Sequence, residues 1–133
     1  MEENTNYQLS TSVRDGIVEI VFKGEITKNT LDRLRAEVIT ILREINAKAV
    51  LCDVTALKGP QEITAAYFRT RSIPPDVKIL PAAIVELSVN KDFQSFYETT
   101  SANAGQTMKY FTDIETARAW LKSRLSRNEK KIE

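Results

Sequence analysis

Along residues 7–13 the side chains alternate, with Tyr7, Leu9, Thr11 and Val13 on one side of a period-two pattern. That pattern predicts a half-buried strand. Asp15-Gly16 comes next, a pair suited to the positive φ values of a two-residue type I′ turn. Residues 17–22, IVEIVF, are nearly all apolar, so a second strand should return antiparallel to the first and end at Gly24. The period then changes to 3.6. Leu31, Leu34, Val38, Ile41, Leu42 and Ile45 share one helical face, with Asp32, Arg35, Glu37, Arg43 and Glu44 on the other. Asn29 or Thr30 is placed to cap the start of this helix, and Asn46 to end it.

The remaining elements follow the same logic. Residues 49–54, AVLCDV, read as a buried strand, and residues 55–59 as a loop. Pro60 suits a first helical turn, and residues 63–71 carry helical character with Ala66, Tyr67 and Phe68. Pro74-Pro75 stops that helix. Residues 80–87, LPAAIVEL, predict another buried strand, with Pro81 tolerable near its start. Ser88 or Asn90 can cap a third helix, which carries Phe93, Phe96 and Tyr97 at i, i+3 and i+4, and Gly105 closes it. Residues 108–111 are the last strand. Thr112-Asp113-Ile114-Glu115 matches a capping box with Thr112 as the cap. Ile114, Ala117, Leu121 and Leu125 give the last helix its buried face, beside Trp120, and fraying is expected beyond Leu125.

The resulting order is β-β-α-β-α-β-α-β-α. Strands separated by helices pair in parallel through right-handed crossovers, and the first strand is then the antiparallel member of a mixed sheet. The expected fold class is a single-domain α/β protein with a five-stranded mixed sheet and about four helices. Residues 1–125 would form the domain, and residues 126–133 a frayed basic tail.

Composition narrows the chemistry. The 133 residues contain no histidine, which removes Ser-His-Asp and Cys-His arrangements and histidine-ligated metal sites. One cysteine, Cys52, permits no disulfide within the chain and reads as a small buried hydrophobe. Four glycines, at 16, 24, 59 and 105, cannot build a phosphate-binding loop. A net charge of +1 gives no field to attract nucleic acid or a membrane. Six basic residues against two acidic ones between Arg118 and Glu133 read as a solvated helix face. The polar, acidic residues 1–10 do not resemble a signal peptide, and no apolar run is long enough to span a membrane. A cytoplasmic, non-enzymatic domain without a cofactor is expected. Asp53 lies at the carboxyl end of a central strand, where α/β proteins place ligands, but as a lone carboxylate it reads as a cap for the following turn.

Two stretches carry a family resemblance. One is Asp53-Val54-Thr55 with the loop after it. The other is the strand MKYF followed by Phe111-x-Asp113-x-x-x-Ala117-x-x-Trp120-Leu121. With the element order, they resemble the STAS domain family, which includes the bacterial anti-sigma factor antagonists. The closer likeness is to the STAS-like branch grouped with CRAL-TRIO-type lipid-binding proteins. In the antagonists, the loop after this strand leads to a serine that a partner kinase phosphorylates. Here the equivalent stretch, residues 57–64, lacks an Asp-Ser-Ser-Gly signature and offers Thr64 as its hydroxyl, with Thr55 further back. The resemblance implies a regulatory or protein-interaction domain, with a protein partner or self-association. Its candidate interaction loop is Asp53, Thr55, Lys58, Gly59 and Thr64. The alternative is a domain for a small apolar ligand or lipid, with Tyr67, Phe68, Phe93, Phe96 and Tyr97 lining the pocket.

Overall fold

A computed structural model describes residues 7–58, 74–86, 98–99 and 107–132. Five strands form one sheet in the order β1-β2-β3-β4-β5: β1 Tyr7–Arg14, β2 Ile17–Glu25, β3 Ala49–Lys58, β4 Ala82–Val85 and β5 Met108–Phe111. β1 runs antiparallel to β2, and every later pairing is parallel. The mixed sheet with an N-terminal hairpin is therefore as expected. The helices among the described residues are α1 Lys28–Ile45, a four-residue α2 Pro75–Lys78 and α3 Ile114–Ile132. The helix expected over 63–71 falls outside the described residues, as does the one expected after residue 90 except for residues 98–99, which are helical.

Local chemistry explains the hairpin and α1. Arg14 opposes Ile17 across a two-residue loop, with Asp15 at φ 55° and Gly16 at φ 81°. Both values belong to the left-handed region, which Asp and Gly tolerate best. At the start of α1 the cap is Thr27, two or three residues earlier than the caps expected, and the Thr30 hydroxyl accepts the Thr27 N–H at 2.9 Å. Asn46 ends the helix in the left-handed conformation, φ 59°, as expected.

Alternation along the strands sends side chains to two separate cores. On one face Val18, Ile20, Phe22, Val50, Cys52 and Ile84 meet Leu34, Val38 and Leu42 of α1, and Val77 of α2. On the other, Ile17, Ala49, Leu51, Ala83 and Val85 meet Ala117 and Leu121 of α3. The α1 face is narrower than its sequence pattern suggests: Ile41 is half-buried and Ile45 is exposed.

Three boundaries differ from the sequence pattern. Pro74-Pro75 does not merely break a helix: Pro75 opens α2 at a position where a missing N–H costs nothing. Arg43 of α1 holds Asp76 through two hydrogen bonds of 2.9 Å. The strand expected over residues 80–87 is four residues long. The cap of α3 is Asp113, not Thr112: its Oδ2 accepts the Thr116 N–H at 2.9 Å, and the Thr116 hydroxyl also donates to it. These bonds to the charged form hold the Asp113 carboxyl below its ordinary range. The main chain of α3 remains helical to Ile132, past the point where its apolar face ends at Leu125.

Candidate functional site

The carboxyl end of β3 is strand where a loop was expected. Val21 pairs with Asp53 but Lys23 pairs with Ala56, so β3 advances three residues while β2 advances two. The surplus residue is a β-bulge. Beyond it, Leu57 and Lys58 pair with Gly24 and Glu25, and the Ile26 N–H donates to the Lys58 carbonyl at 2.9 Å. The second half of β2 therefore extends the ladder to Lys58, which a pattern read along β3 alone could not reveal.

Asp53 serves the bulge, not a turn before a helix. Its Oδ1 accepts the Thr55 N–H at 3.1 Å and the Thr55 hydroxyl at 2.7 Å. A bulge turns an amide away from the ladder, and this carboxylate satisfies the amide and fixes the hydroxyl with it. Val54 stays buried, while Thr55, Ala56 and Lys58 are exposed. The structure thus brings together Asp53 and Thr55 of the candidate loop and places Lys58 at the end of the same strand, three residues on. Gly59 and Thr64 lie outside the described residues, as do Tyr67, Phe68, Phe93, Phe96 and Tyr97.

Cys52, next to Asp53, points into the α1-side core. Burial pushes its thiol up to about 12, with the Asp53 charge adding to the shift. It is a packing residue in the thiol form, not a nucleophile.

A second polar centre was not anticipated. Glu19 lies in the middle of the IVEIVF run and is the buried charged residue among the described positions. It faces α3, where Arg118 grips it with both arms: Nε to Oε2 at 2.7 Å and Nη2 to Oε1 at 2.8 Å. Arg118 Nη1 also donates to Glu115 at 2.9 Å. The Arg118 hydrogen bonds hold the Glu19 carboxyl below its ordinary range against the opposing effect of burial, and Arg118 is held above its own. The group borders a cleft of about 210 Å³ that Arg14, Ile17 and Lys122 also line. A lone acid inside an apolar strand was the available signal. Its partner, 99 residues away, was not visible.

Chemically, both centres are closed. Each carboxylate is occupied by a fixed donor, and among the described residues no cluster of three or more His, Cys, Asp or Glu could hold a metal ion. No described helix is long and apolar enough to cross a membrane.

An α/β sheet of this order, with one antiparallel edge and helices on both faces, is a SpoIIAA-like fold. Solved structures with this fold include an RsbS variant from Moorella thermoacetica, with TM-score 0.60, 15% identity, and coverage of 90% of this chain and 98% of that one. An uncharacterised protein with a SpoIIAA-like fold from Shewanella loihica gives 0.57 at 16% identity, covering 91% and 98%. An anti-sigma factor antagonist from Mycobacterium paratuberculosis gives 0.55 at 14% identity, covering 87% and 94%. Identities this low establish the fold and nothing finer. They bear on the antagonist side of the resemblance, not on the grouping with CRAL-TRIO-type proteins. No protein-family model matches the sequence, and no curated protein matches it either.

Proposed function

We propose that the chain is a non-catalytic regulatory domain of the cytoplasm that binds a protein partner through the bulged carboxyl end of β3. The observation that carries this reading is the Asp53-Thr55 clamp. It holds an exposed hydroxyl in a fixed geometry, and the ladder to Gly24, Glu25 and Ile26 fixes the Lys58 strand end beyond it, on a fold shared with anti-sigma factor antagonists. Fixing a surface before contact lowers the ordering cost of association. A carboxylate already occupied by two local donors is suited to shaping that surface rather than to proton transfer.

The test is co-purification from the native organism with tagged wild type, Asp53→Ala and Lys58→Glu chains, read by mass spectrometry. A protein retained by wild type and lost from both variants, at unchanged melting midpoint for Lys58→Glu, is the expected result. Retention of the same proteins by both variants would place the partner surface elsewhere.

A further inference from the structure

The sheet has two edges, and they are built differently. β5 is four residues long, carries Lys109, and its Tyr110 N–H is taken by the Glu98 carboxylate at 2.6 Å. Short length, a lysine and a covered amide are the usual ways to prevent a strand from recruiting another. β1 has none of them. It runs eight residues, matches β2 position for position without a bulge, and contains no charge and no proline between Gln8 and Val13. Among the described residues no strand lies beyond it.

The two-residue turn sets which main-chain groups face outward. Arg14 and Ile17 flank that turn as a hydrogen-bonded pair, so Arg14, Ser12 and Ser10 bond to β2. Leu9, Thr11 and Val13 then direct their N–H and C=O groups away from the sheet. Their side chains share the α1 face, opposite Phe22, Ile20 and Val18. Ser10 to Arg14 are exposed, Val13 at 52%.

The segment Leu9-Ser10-Thr11-Ser12-Val13 is symmetric in residue type about Thr11. We propose that β1 pairs antiparallel with β1 of a second copy of this chain, on a two-fold axis at Thr11, giving a continuous ten-stranded sheet. In that register Thr11 meets Thr11 of the second copy, Ser10 meets Ser12, and Leu9 meets Val13, each pair on one face as the pleat requires. Leu9, Thr11 and Val13 are the hydrogen-bonded positions, so their outward groups find partners in the same register. The contact is isologous and closes at two copies. It covers the exposed Val13 with an apolar side chain and brings no like charges together. A strand of unrelated sequence would satisfy the main chain but not this side-chain symmetry. The interface uses a different strand from the proposed β3 partner surface, and does not depend on it.

A cysteine at the axis reads the register directly. Across a hydrogen-bonded antiparallel pair the Cα atoms are about 5.5 Å apart, within the roughly 4.4–6.8 Å that a disulfide needs. Thr11→Cys should therefore form a covalent dimer under mild oxidation, and the buried Cys52 thiol will not compete. Val13→Cys should not, because its two copies lie about 14 Å apart along the strands at ~3.4 Å per residue. Wild type should sediment as a dimer with a melting midpoint that rises with concentration, and Thr11→Lys and Val13→Lys as monomers with wild-type circular dichroism and a midpoint independent of concentration. Lys58→Glu should stay dimeric, which separates this test from that of the β3 surface. A wild-type monomer through the hundred-micromolar range would overturn the proposal. So would a dimer that survives both lysine substitutions, or a co-purifying foreign protein lost from Val13→Lys while wild type alone stays monomeric.

Discussion

On the α1 side of the sheet the buried side chains among the described residues all belong to hydrophobic residues, seventeen of them. On the α3 side the buried set is seven, and a carboxylate sits beside it, held by an arginine from the covering helix. The first face is secured by area. Many contacts contribute a little each, and a hydrogen bond from the Tyr7 hydroxyl to Glu37 at 2.6 Å ties α1 to β1. The second face has fewer buried apolar residues and a buried charge, and Glu19 is satisfied only where Arg118 stands. A two-armed arginine fixes both the position and the rotation of the helix that carries it.

The largest expected effect lies on the apolar face. Leu34 is fully buried, and Leu34→Ala should cost about 2–5 kcal/mol in urea-unfolding free energy. Equality of that loss with the loss for Leu121→Ala would mean that both faces rest on packing alike.

Next comes the ion pair. Arg118→Met leaves Glu19 facing apolar neighbours and should cost about 1–3 kcal/mol, tempered by the cleft that admits water beside the pair. The double variant Glu19→Met with Arg118→Met should be more stable than the single one, since it removes the charge that would be stranded. If the double variant were the worse of the two, Glu19 would have a role beyond answering Arg118. The same pair sets an acid dependence. The folded carboxyl titrates below its unfolded value, so its contribution is complete above about pH 4.3 and is lost as pH falls through the depressed folded value. Unfolding midpoints of wild type and Glu19→Gln should therefore converge on acidification, and parallel curves would break the assignment.

Smaller still is the end of α1. Asn46 is left-handed, and Asn46→Ala should cost about 1 kcal/mol because a Cβ without a local hydrogen-bonding group is disfavoured there. At the bottom of the scale, Ile45→Ala should change stability by no more than about 0.5 kcal/mol, since Ile45 sits at 36% exposure. A loss several times larger would show that something covers this end of the helix.

What was legible in the sequence was local. Asp15-Gly16 specified the turn, and through it the register of the whole hairpin. The spacing of Leu34, Val38 and Leu42 identified the face of α1. What was not legible depended on a second segment. Ile45 continues the same spacing, yet it is 36% exposed. β3 runs on to Lys58 because Glu25 lies alongside it, and the bulge that permits this is visible only when both strands are counted together. Thr112 and Asp113 both satisfy a capping pattern, and one residue of helix phase decides between them. Of the candidate site, Asp53 stands at the bulge within β3, five residues before the strand ends at Lys58, and its partner is two residues away and not in a following turn.

The strand order equals the chain order, so each strand can join the sheet as it is made. α1 belongs to the first face and is available early. The second face has to wait. Ile17 packs with Leu121 in one core, and about a hundred residues separate them. At roughly 5–20 residues per second of synthesis, Ile17 waits on the order of five to twenty seconds, and Ala49 and Leu51 about four to fourteen, before Leu121 of α3 is made. Among the described residues, the cover for this face arrives only when α3 emerges.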